Sequence, residues 1–112
     1  MKKLLLINYL FISLSCLAND TIFSSANKLY SESNFIEACN LYLQIIEQGS
    51  ESAELYFNIG NCYYRTNDWA NAIWFFEKSL QLKNKKETQK NLELTRLNTI
   101  DKIEPLPDLF YK

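Results

Sequence analysis

From Thr21 to Ile103 apolar residues recur at spacings of three and four, no stretch alternates strictly, and proline is absent until Pro105. The pattern predicts helix almost throughout. Small and polar clusters interrupt it at Ser31 to Asn34, Gln48 to Ser52, Thr66 to Asp68 and Asn84 to Lys86. The result is five helices of about 12 to 15 residues, and turns this short make sequence neighbours antiparallel. Asn34 followed by Glu37 reads as a capping box, in which the amide oxygen accepts an orphan N–H and the carboxylate reaches back. Gly49 suits the left-handed residue that closes a helix, and Asp68 suits the N-cap of the fourth helix.

Sliding the chain along itself until Ala26-Asn27 falls on Gly60-Asn61 also places Tyr30 on Tyr64, Phe35 on Trp69, Ala38 on Ala72, Tyr42 on Phe76 and Ile46 on Leu80. A helix-turn-helix unit of that period, about 34 residues, resembles the tetratricopeptide repeat, TPR. The later copy, Ala53 to Lys86, carries Tyr56-x2-Ile59-Gly60-x2-Tyr63 and then Ala72-x3-Phe76. It departs from the family pattern at Tyr56, where Trp is preferred, at Ser79, where Ala is, and at Asn84, where Pro is. The earlier copy is looser, with Ile22, Ser25, Ala26 and Leu29, then Ala38-x3-Tyr42. The resemblance implies an all-α, right-handed α-solenoid of two repeats, about 19–52 and 53–86, with a capping helix at about 86–103. Small residues at Ala26, Ala38, Gly60 and Ala72 let helix backbones approach, while Tyr63, Trp69 and Phe76 fill the space between them. On the fifth helix Leu92, Leu94, Leu97 and Ile100 are expected to continue the stacking face. About three repeats are usually needed for a stable array, so two and a cap are few.

Ahead of the helical region, Lys2 and Lys3 precede a short apolar run from Leu4 to Ala18, which reads as a signal peptide over residues 1–18. The run is shorter than the roughly 20 residues that span a bilayer. Two endings compete. Cys16-Leu17-Ala18 offers the small residues of a cleavage site, whereas Ser13-Leu14-Ser15-Cys16 loosely resembles a lipoprotein box that would acylate Cys16. At the other end, Glu104-Pro105 stops the fifth helix and opens an extended Pro-containing tail, 104–112, with Leu106, Leu109, Phe110 and Tyr111.

The 112 residues describe one small domain, and a net charge of -1 does not suit a generic nucleic-acid binder. There is no His, so the commonest general base and metal ligand is missing, and two glycines cannot make a phosphate cradle. No catalytic, cofactor-binding or metal residues are expected, and the chain reads as a non-enzyme. From Asn19 to Tyr64 six acids face Lys28 alone, whereas Lys83, Lys85, Lys86 and Lys90 cluster later and read as a solvated loop and first helical turn.

Paired repeats behind a signal peptide, followed by the segment Asp101 to Phe110, resemble the BatE-type TPR proteins of the bacterial aerotolerance (Bat) operon. That resemblance implies repeats facing the periplasm and a non-catalytic adaptor in an envelope complex. Its members usually continue into a membrane helix and a small β domain. Here the sequence stops at Lys112, so the expectation is either a shortened form or anchoring through the N-terminus. An outer-membrane lipoprotein assembly factor, or the sensor end of a longer signalling protein, are the alternatives.

The family's first helices line a concave groove, which places Asn27, Tyr30, Phe57 and Asn58 on or near it, with Asn61, Tyr64, Arg65 and Asn91. Phe23 and Thr95 join them. An asparagine amide donates to and accepts from a peptide backbone at once, which suits an extended protein or peptide partner. Asn27 and Asn58 match two positions of the family's carboxylate clamp, but Phe23, Thr88 and Leu92 replace its basic members, which argues against carboxylate capture. Trp74 takes the place of Asn40 in the earlier copy and is expected to be an exposed contact for a partner or membrane headgroups. Cys39 and Cys62 sit at similar heights about the intervening turn. They are either two thiols packed as small apolar groups or a disulfide, against which stands the usual helix spacing of about 8 to 10 Å.

Overall fold

The computed structural model describes residues 19–100, all of them in helices or short turns. The leader, Cys16 and the tail beyond Ile100 lie outside the described residues. Among the described residues five helices follow one another: α1, of which residues 19–31 are described, α2 (Phe35–Glu47), α3 (Ala53–Arg65), α4 (Trp69–Leu82) and α5 (Lys86–Ile100). The chain divides into two compact units between Glu51 and Ser52.

Three of the turns share one closure. The N–H of Asn34 reaches the carbonyl of Leu29 while that of Ser33 reaches Tyr30, and the pairs Ser50 to Ile45 with Gly49 to Ile46, and Asp68 to Tyr63 with Asn67 to Tyr64, repeat the arrangement. This is the Schellman motif, which satisfies two orphan carbonyls but needs one residue in the left-handed region. Gly49 supplies it at φ 88°, as the sequence implied, and Ser33 and Asn67 supply it at 65° and 62°. The latter two stand one repeat apart, so the repeat extends to the backbone of the turn itself.

Helix starts are less uniform. Ser52 caps α3 by accepting from the Leu55 N–H at 3.0 Å, and Asp68 caps α4 by accepting from the Asn71 N–H at 3.3 Å. The capping box expected at Asn34 is not formed, because the Asn34 side chain makes no cap hydrogen bond. Its backbone angles, φ −87° and ψ 68°, are close to those of Asp68, so the difference lies in the side chains. At Asp68 the Asn71 amide donates to the second carboxylate oxygen at 2.8 Å and holds the first toward the helix. Asn34 has only one acceptor oxygen, and the residue in the position of Asn71 is Glu37, which cannot donate.

In the first unit the fully buried Ala26 and Ala38 are the small residues of α1 and α2, and Tyr42 fills the space beside them. The Tyr42 hydroxyl donates to the Asn27 amide oxygen, Phe23 meets the Tyr42 ring edge-on at 5.7 Å, and Tyr30 meets Phe35 at 5.0 Å. Early α1 thus meets late α2, which is antiparallel packing. The second unit repeats it. Tyr64 packs on Trp69 at 5.3 Å at one end of the α3–α4 pair, and at the other end the Ser79 hydroxyl donates to the Ala53 carbonyl at 2.7 Å. Between them Gly60 lies against the fully buried Phe76 so closely that a Cβ would stand 2.6 Å from two ring carbons. Ser79, at the family's alanine position, is buried with its hydroxyl satisfied.

Helix α5 returns parallel to α3, since Asn91 donates to Asn61 at 2.9 Å and Asn98 approaches the Tyr64 hydroxyl at 3.5 Å. Its buried stripe is Thr88, Leu92 and Thr95, not the expected leucine face. Leu92 joins Ala72 and Phe76 in the core, whereas Leu94, Leu97 and Ile100 are 41%, 57% and 59% exposed. The threonine at 95 can face inward because its hydroxyl donates to the carbonyl of Asn91 at 2.6 Å, so no polar group is buried unpaired there.

Candidate functional site

Within the second unit a shallow cavity of about 170 Å³ opens between the first turns of α3 and α5. Its wall on α3 is Ala53, Glu54, Phe57 and Asn58, and its wall on α5 is Glu87 and Thr88. Ser79 lies at the base and Lys85, from the turn before α5, at the rim. Two mechanical features set this shape. The Ser79 hydrogen bond fixes the start of α3 against α4, and the Phe57 ring is held over Phe76 at 6.0 Å. Glu54, Lys85 and Glu87 are exposed, so the rim carries both signs of charge, while the half-buried Phe57 and Asn58 offer a ring and an amide.

These groups offer a ligand an apolar ring, an amide and charges of both signs. The buried Ser79 hydroxyl at the base donates to the Ala53 carbonyl, and Thr88 in the α5 wall is buried as well. Among the described residues no cluster of His, Cys, Asp or Glu could hold a metal ion, and no helix is long and apolar enough to cross a membrane.

The groove residues read from the sequence separate into three groups. Phe57 and Asn58 line the cavity. Asn61 and Asn91 are bonded to each other and join α3 to α5, while Tyr64 packs on Trp69, and Arg65 is exposed in the last turn of α3. In the first unit Asn27 accepts from Tyr42, and Tyr30 and Phe23 pack against α2. Thr95, placed near the groove from the sequence, is fully buried instead. Glu54, Ser79, Lys85 and Glu87 were not among the expected groove residues. The signal that could have found them was Ser79, a polar residue at a position where the repeat wants alanine.

Trp74 and the two cysteines are not among the residues that line the cavity. Trp74 is 50% exposed on α4, with the Lys78 ammonium 4.3 Å from its ring centroid and the Phe75 ring edge-on at 4.8 Å. Cys39 and Cys62 are both buried thiols, so the disulfide alternative is not formed.

Compared with known proteins, the chain matches the tetratricopeptide repeat family model over residues 53–86, the span of α3, α4 and the turn that follows. No curated protein matches it. The helix order, the recurrence of the left-handed turn one repeat later and the Gly60–Phe76 contact together make this an all-α helical repeat fold of the tetratricopeptide type.

Proposed function

We propose that this chain is a non-catalytic adaptor that holds an extended segment of a protein partner along the α3–α5 cavity. Tetratricopeptide-repeat domains generally bind protein partners and are typically not catalytic. The observation that carries the reading is the pairing of Phe57 with Asn58 at the cavity wall. The ring supplies apolar contact, and the amide can meet a peptide N–H and C=O together. Charges of both signs at the rim favour a partner segment of mixed charge over a purely acidic one.

The biological setting belongs to the same proposal. A leader over residues 1–18 and the resemblance to BatE-type proteins support export and work in an envelope complex of the aerotolerance kind, facing the periplasm. Mass spectrometry of the mature N-terminus tests this, with Asn19 expected as the first residue, and an acylated Cys16 pointing to the lipoprotein alternative.

The binding reading is tested by selecting peptides from a random displayed library and titrating the best of them calorimetrically. Phe57→Ala and Asn58→Ala should each weaken binding about tenfold or more, as removal of an interface anchor does. A Gln81→Ala control, on the exposed side of α4, should leave it unchanged. Peptides that bind equally well to all three variants would place the interaction elsewhere.

A further inference from the structure

The exposed apolar side of α5 is the counterpart of a face that is filled on α3. In the second unit Gly60 receives Phe76 and Tyr63 stacks on Phe75 at 5.6 Å, so this side of α3 is covered by the helix that follows it. Moving one repeat along the chain turns Gly60 and Tyr63 into Leu94 and Leu97. Among the described residues nothing covers these two, which are 41% and 57% exposed. A helix that only closed the array toward water would carry polar residues there.

The same register identifies the occupant. Carried forward by one repeat, the α4 positions Trp69, Ala72, Phe75 and Phe76 become Ile103, Leu106, Leu109 and Phe110. All four are apolar, with the spacing by which α4 presents Ala72, Phe75 and Phe76 to the core. Pro105 falls where a helix N–H has no intrahelical partner, but Pro107 falls past that first turn, so a helix in this segment begins at Pro107 as its first residue and Ile103 to Leu106 run into it extended. Being in the same chain, the segment meets the leucine face at high effective concentration, which a separate partner lacks.

We propose that residues 103–111 dock on the Leu94–Leu97 face of α5, in the place that the second helix of a third repeat takes. The contact pairs Phe110 and Leu109 with Leu94 and Leu97, as Phe76 and Phe75 pair with Gly60 and Tyr63.

The test uses the full chain with a photo-crosslinking residue in place of Leu97, together with amide exchange on the unmodified protein. Expected are crosslinks within one chain to the peptide containing residues 106–111, independent of protein concentration, and amides there exchanging at least about tenfold more slowly than in a free peptide. Leu97→Asp and Phe110→Asp should each restore free-peptide exchange in that segment while far-UV circular dichroism keeps its helical signal. Leu97 is exposed, so its replacement leaves the core of α3, α4 and α5 intact, and the retained helical signal checks the same for Phe110→Asp. Free-peptide exchange in the unmodified protein overturns the proposal. So do crosslinks that join two chains or lead to residues 1–51, which would show the face covered by a second copy or by another segment.

Discussion

At the scale of single residues, backbone sign and atomic clearance decide what each position tolerates. Ser33 is held at φ 65°, where a Cβ costs roughly 1 to 2 kcal/mol, while glycine gives back about 0.4 to 1 kcal/mol through the freer unfolded chain. Ser33→Gly should therefore raise stability by about 0.5 to 1 kcal/mol, and Gly49→Ala, at φ 88° with open space around it, should lower it by about 1 kcal/mol. Urea midpoints at constant slope check both. Gly60 differs, because its limit is space. Alanine gains about 1 kcal/mol of helix propensity there but drives a methyl to 2.6 Å from the Phe76 ring, an overpacking that costs about 1 to 3 kcal/mol. Phe76 is fully buried and cannot swing away, so the clash wins and the urea midpoint of Gly60→Ala falls. Trp74 contributes little to the fold. Trp74→Ala should cost no more than about 1 kcal/mol, the size of an exposed cation–π pair with Lys78, so a larger loss of partner affinity in titration marks the indole as an interface anchor.

At the scale of elements, the caps and the rotation of α5 carry the argument. Asp68 accepts two hydrogen bonds at the start of α4, whereas Asn34 accepts none at the start of α2. Asp68→Ala should thus lose about 1 kcal/mol in denaturant unfolding and Asn34→Ala only a few tenths, although the two positions share one place in the repeat. Equal losses would mean that the Asn34 amide does cap in solution. The rotation of α5 follows from what the array offers it. Parallel to α3, it buries Leu92 against Ala72 and Phe76 and bonds Asn91 to Asn61, and these two contacts together turn Leu97 outward. The ion pair of Arg96 with Glu77, at 2.8 Å between half-exposed side chains, sits beside that contact and adds roughly 0 to 1 kcal/mol.

At the scale of the whole molecule, each of the two compact units holds one buried thiol, Cys39 in the first and Cys62 in the second. A buried thiol reacts only when its surroundings open, so its labelling rate measures the opening of its own unit. In native buffer both should label at least about a hundredfold more slowly than in denaturant, read by mass spectrometry of the two peptides. If Cys39 labels faster than Cys62, the first unit opens on its own. The charge distribution is equally uneven, acidic from Asn19 to Tyr64 and basic from Lys83 to Lys90, and all four clustered lysines are exposed.

Much of this was determined by the sequence alone. Sliding the chain by one repeat placed the small residues and the large rings, because close helix packing needs a residue without bulk opposite one with bulk, and that pairing is written in residue types; the turns were marked by small and polar clusters. Helix ends were legible in part, at Gly49 and Asp68, since caps and left-handed closures involve residues a few positions apart, whereas the box expected at Asn34 is not formed. What only the tertiary structure decided was orientation. Periodicity marks an apolar stripe on α5 but not which stripe faces in, and two threonines with one leucine outcompeted three exposed apolar residues because one threonine satisfies its hydroxyl within its own helix. The cavity likewise depends on Ser79, Lys85 and Thr88 meeting Phe57 and Asn58 from elements distant in sequence. Such meetings are fixed by helix placement and leave no local mark in the residues themselves.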